Sequence, residues 1–281
     1  ASAWPRLVVV ALDDGSDALR ALVPEEVHFE VDTAALGRHL ANLGSQAAKG
    51  PRPDKGPAFA PAERAAIEAK LGRPLVSEGT GASLRRLLVE AGEALSAGRF
   101  DEGAQKLRAA RMLCHLAGLV AEEAVTSVSL GTALFSLGED ARSIQSYARG
   151  RDLALAHGMA TLPAQAELGI GAVHFAKRRF SEAREAYAEA ATHAGDAAPL
   201  RIEAMRMRAE CWAAESKPAD AMRAYDEALV AVEAEPPATR AVTAYRAIGE
   251  ALASVAVASG SMELAAKARR RVDAIRLGVP R

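Results

Sequence analysis

The sequence predicts a mostly α protein: about five helix pairs packed one after another, preceded by a small α+β module. Three observations predict it. Alanine dominates while aromatics make up only 4% of the chain, and alanine is the strongest helix former. A unit recurs at a spacing near forty residues from Ser96 onward. Short β-branched runs are confined to the first eighty residues.

In chain order, the non-repeating part comes first. "RLVVVAL" (Arg6–Leu12) and "VHFEV" (Val27–Val31) read as strands, with a turn carrying Asp13, Ser16 and Asp17 between them. A helix follows from Asp32 or Thr33 to Gly44, then a Pro/Gly/Lys linker near 47–60, then a helix after Pro61. Residues 1–80 are thus expected to form the small α+β module, and 81–281 the repeats. Two strands alone are marginal in water. The module is therefore covered by its own helices, docks on the repeats, or self-associates by strand-edge pairing.

The repeats begin with "SAGRFDEGAQKLRAA" at Ser96. Phe100, Asp140 and Phe180 are forty apart, Pro218 follows 38 later and Met262 a further 44. Each unit has one grammar. An apolar-periodic helix, such as Val125–Ser136 or Gln165–Ala176, leads into a short turn at Gly98, Gly138, Arg178, Ser216 or Gly260. A second helix follows, and Gly118, Gly158 and Gly195 close three of these. On the second helices Tyr147, Tyr187 and Tyr225 share a register, with Ala183 and Ala221 four before the last two and Ala190 and Ala228 three after. Such spacing puts small and aromatic residues on one face, so helix axes approach closely and one ring fills each gap.

On these residues the chain resembles the tetratricopeptide repeat (TPR) family. Gly171, Ala183, Tyr187 and Ala190 match its pattern, as do Ala209, Trp212, Ala221, Tyr225 and Ala228. Unit two matches through Gly131, Gly138 and Tyr147, with Ser143 in place of alanine. Unit one (Ala91, Gly98, Leu107, Ala110) is weaker, and unit five carries Arg269 at the aromatic position. The period is longer than the family's, as in long-helix TPR domains of bacterial regulators and scaffolds. The resemblance implies a TPR-type α-solenoid whose first helices line a concave groove that takes a protein or peptide. Carried over residue by residue, the groove positions are Leu88, Val128, Thr132, Phe135, Leu168, Phe175, Arg206, Glu210 and Glu250. The family's clamp for an acidic peptide terminus needs Lys and Asn where this chain has Leu88, Gly92 and Ser129, so that clamp is absent.

Several function classes recede on composition. A net charge of −1 leaves no surplus of Lys and Arg for a nucleic-acid backbone. No apolar run reaches the ~18 residues of a membrane span. Two cysteines make no disulfide framework and suit a reducing, cytoplasmic setting. A chain starting at Ala1 shows no leader pattern, though one removed earlier would leave no trace.

Catalytic and metal patterns are missing too. Asp13, Asp14 and Asp17 lack calcium-loop spacing, and too little chain follows for a receiver domain. Cys114 and His115 are helix neighbours about 100° apart, so Cys114 reads as a buried apolar residue. His115, His157 and His193 fall in the last turns of second helices, where the dipole favours them. No zinc, phosphate-loop or nucleophile motif appears, and no cofactor is expected. Lys267, Arg269, Arg270 and Arg271 read as the solvated face of a capping helix, with an anionic docking patch as the alternative.

The expectation is a non-enzymatic scaffold or adaptor in a bacterial secretion, motility or signalling assembly. Two rivals stand beside it: a peptide-sensing regulator, and an enzyme using Asp13, Asp14 and His28.

Overall fold

The computed structural model describes residues 80–235 and 242–276. The expected α+β module, its linker and the candidates Asp13, Asp14 and His28 lie outside the described residues. Ten helices occur among them: α1 (Thr80–Ser96), α2 (Phe100–Ala117), α3 (Val120–Ser136), α4 (Asp140–Ala156), α5 (Leu162–Ala176), α6 (Phe180–His193), α7 (Ala198–Ala214), α8 (Pro218–Ala234), α9 (Val242–Ala258) and α10 (Met262–Arg276). The second helices start at Phe100, Asp140, Phe180, Pro218 and Met262, so the sequence register and the helix starts coincide. Two first helices begin earlier than their apolar periodicity indicates, at Val120 and Leu162.

Each first helix ends in one and the same way. The N–H of Gly98 donates to Leu95 O at 3.0 Å and that of Arg99 to Ala94 O at 2.8 Å. The same pair recurs at Gly138/Glu139, Arg178/Arg179, Ser216/Lys217 and Gly260/Ser261. This closure satisfies the last carbonyls and needs one left-handed residue. Gly98, Gly138 and Gly260 supply it at φ 73°, 75° and 78°, while Arg178 and Ser216 adopt it at φ 59° and 61°. The geometry is thus retained where the glycine is not.

The chain divides into two compact units between Leu162 and Pro163. In the first, α1–α2 and α3–α4 are hairpins, with α2 also packed on α3. Leu84, Leu88, Leu107, Cys114, Leu130 and Leu134 share its core. Each fully buried leucine stabilises by roughly 1.5–3 kcal/mol relative to exposure. Glu123 joins three helices there. Its buried carboxylate accepts from Arg149 Nη2 of α4 at 2.8 Å and lies 3.0 Å from His115 Nδ1 of α2. His115 therefore gains a carboxylate partner as well as its place in the last turn of α2, whereas His157 is the C-cap residue of α4 rather than part of its last turn.

In the second unit α5–α6, α7–α8 and α9–α10 are the hairpins, and the core gathers Ala221, Tyr225, Ala228, Tyr245, Ile248 and Leu252. Arg271 of α10 is not part of a solvated face. It is nearly buried and pairs with Asp226 and Glu233 of α8, while Lys267, Arg269 and Arg270 remain exposed. Those bonds hold the Arg271 guanidinium above its usual pKa, even though burial opposes its charge.

Candidate functional site

The three register tyrosines are all buried, and their hydroxyls meet different fates. Tyr147 Oη lies 2.9 Å from Thr132 Oγ1, and Tyr225 donates to Glu210 Oε2 at 2.5 Å. The matching position on α5 is Ala172, so the Tyr187 hydroxyl has no hydrogen-bond partner. Burial pushes all three phenols above their ordinary pKa. These rings are structural, set against small residues of the preceding helix.

The first-helix positions expected to line a groove separate by burial. In the first unit Leu88, Val128 and Thr132 are buried, and Phe135 is half-buried. In the second, Leu168 is buried, and Phe175 is half-buried and meets Phe180 edge-on at 5.6 Å. Arg206 shares the register of Leu168 but is buried and paired to Glu203 at 2.8 and 2.9 Å. Burial opposes this guanidinium's charge, but Glu203, with Glu210 and Tyr225 beside it, holds its pKa above the usual value. Glu210 is half-buried under the Tyr225 hydroxyl. Glu250 is exposed in an open cleft of about 480 Å³ with Ser254, Val257 and Arg269. Phe135, Phe175, Glu210 and Glu250 therefore keep accessible surface, and the other five positions are taken up inside the protein.

A second cleft, of similar volume, was not legible in the sequence. It runs between α6 and α8 across Trp212 of α7. The Arg184 guanidinium stacks 3.6 Å from the indole centroid and the Lys217 ammonium lies 5.0 Å away. The arginines here are matched by carboxylates: Arg184 with Glu215 at 2.5 Å, Arg208 with Glu227 at 3.0 Å, Arg223 with Asp220 at 3.3 Å. This balance leaves no net pull on an ion. In the sequence Trp212 reads only as a repeat residue, because Arg184 lies on a separate helix and Lys217 in the turn after α7.

Cys114 and Cys211 are free, buried thiols, and burial raises both, Cys211 to about 12. Neither carries thiolate character at neutral pH. Among the described residues no group of three or more His, Cys, Asp or Glu side chains is placed to hold a metal ion. No helix among them is long and apolar enough to cross a membrane.

No family model matches the sequence, and no curated protein matches it. Solved structures do. BtubC (BKLC) from P. vanneervenii is similar at 13% identity over 87% of this chain and 95% of that one, with a TM-score of 0.58. A Podosopora anserina putative kinesin light chain with nearly identical TPR-like repeats is similar at 15% identity over 70% and 97%, with a TM-score of 0.54. Together with the recurring helical hairpins, these likenesses show that the chain carries the TPR-like helical-repeat fold.

Proposed function

We propose that this protein is a non-enzymatic scaffold that holds a partner polypeptide against the first helices of its hairpins. One observation carries the reading. Phe135 and Phe175 sit at one register, forty residues apart, on the last turns of α3 and α5, and both are only half-buried. Each unit thus carries one apolar side chain left half-open at the end of a first helix, which suits the apolar face of a partner segment. The TPR-like fold supports a protein partner in general. The assembly we favour is a bacterial one, since alanine and arginine richness suits a genome of high GC content.

The test is affinity capture from the native cell with the wild-type chain and with Phe135→Asp, Phe175→Asp and the double variant. Circular dichroism melts confirm that each variant is folded. The reading predicts a partner retained by the wild type and lost stepwise in the variants. Equal recovery by folded variants contradicts it.

A further inference from the structure

The α5–α6 turn combines two features that no other described hairpin tip combines. First, Arg178 occupies at φ 59° the left-handed position that three other turns give to glycine and the α7–α8 turn gives to Ser216. At those three turns a Cβ would meet nothing within 4 Å, so the fold offers no packing reason for a side chain there. Glycine would remove the strain at Arg178, yet an arginine stands in its place.

Second, two arginines at this tip are not paired from within. At the first turn Arg99 pairs with Glu102, at the second Glu139 pairs with Arg142, and at the fourth Lys217 pairs with Glu215. The fifth, Ser259–Gly260–Ser261, is uncharged. The third reads Lys177–Arg178–Arg179, all exposed, and among the described residues neither Arg178 nor Arg179 has an ion-pair partner. Arg178 lies over the Phe180 ring at 5.9 Å, and Phe180 in turn meets Phe175. Two cations are thus presented at the tip, one of them on an aromatic footing.

We propose that this tip docks an acidic segment of a partner polypeptide, with Arg178 and Arg179 as the cations it pairs with. The surface adjoins the first-helix face at Phe175 through Phe180, but its two cations belong to the turn, so its test is separate from that of the first-helix reading. Charge complementarity selects an acidic occupant. A nucleic-acid backbone fits poorly, because the whole chain has a net charge of −1 and the patch is one turn long. A membrane surface fits poorly as well. The exposed large apolar side chains that would insert, such as Met112, Val230 and Met262, belong to other helices.

Fluorescence anisotropy of a short labelled peptide of alternating Glu and Ser, titrated with the full chain at low salt, tests this. Wild type binds it, and added salt weakens binding. Arg178→Gly/Arg179→Ser weakens it at least about tenfold, the scale of two lost charge-assisted contacts. Lys267→Ser/Arg270→Ser on α10 changes the net charge equally and leaves binding intact. Arg178→Gly alone weakens binding while raising the thermal midpoint, so loss of fold cannot explain the loss of affinity. Three results would overturn the proposal: no binding by wild type at low salt, equal loss in the α10 control, or tighter binding of duplex DNA or phosphatidylserine vesicles than of the peptide.

Discussion

Tyr187 lies across Gly171 so closely that a Cβ on the glycine would stand 2.5 Å from the ring's Cε1. Tyr147 stands in the same relation to Gly131, at 2.7 Å from Cδ1. Alanine is favoured over glycine in a helix by about 1 kcal/mol, but forcing a methyl into a filled space costs about 1–3 kcal/mol. Gly171→Ala is therefore expected to lower stability by up to about 2 kcal/mol in urea unfolding. Adding Tyr187→Leu, which vacates the space, should recover part of that loss relative to Tyr187→Leu alone.

The tyrosine hydroxyls give a graded prediction. Tyr187 Oη is buried without a partner, and a buried orphan is a cost. Tyr187→Phe should be neutral or stabilising. Tyr147→Phe strands Thr132 Oγ1 with only its 3.4 Å bond to Val128 O and should cost about 1 kcal/mol. Chemical denaturation of the two variants side by side checks the order, and a larger loss at Tyr187 would contradict it.

Ser216 takes a left-handed conformation at φ 61° that costs a non-glycine residue about 1–2 kcal/mol. Glycine there gives some of this back as added freedom in the unfolded chain. Ser216→Gly should still raise stability, by about 0.5–1 kcal/mol. The converse change, Gly138→Ala at φ 75°, should lower it. Calorimetric midpoints of both variants decide the matter.

The Glu215 carboxyl is held below its ordinary value of 4.5, first by Lys217 and then by Arg184. A carboxylate depressed in the folded state stabilises fully above its unfolded pKa, and that stabilisation is lost as pH falls through the folded pKa. Glu215→Gln should therefore lower the thermal midpoint at neutral pH. The gap from wild type should close as the pH drops below 4.5. A gap that stays constant across that range would remove the ionic explanation.

Much of the repeat fold was legible because its signals are local. Helix starts, turns and second-helix closures depend on single residues at fixed offsets, such as Phe180, Gly138 and Gly118, and their order along the chain carries them. The turns at Arg178 and Ser216 show the limit. Their backbone geometry is imposed by the hairpin on either side, so a residue that disfavours it still adopts it. The candidate site was less legible. Leu88, Val128, Thr132 and Leu168 belong to the first-helix register, yet packing buries them, and periodicity does not say which side of a helix a neighbour covers. Glu123 carries no sequence signal, because its partners, His115 and Arg149, are eight and 26 residues away on different helices. The stack of Arg184 on Trp212 is likewise a meeting of separate helices.

Site-specific photo-crosslinking in the native cell tests the central claim most directly, because it replaces single side chains without a charge in the core. A benzophenone amino acid is placed in turn at Phe135 and Phe175 on first helices, and at the exposed Leu155 and Glu189 on second helices. The account predicts one discrete protein adduct from the first-helix positions and none from the second-helix pair. Adducts arising equally from all four positions, or only from Leu155 and Glu189, would contradict it.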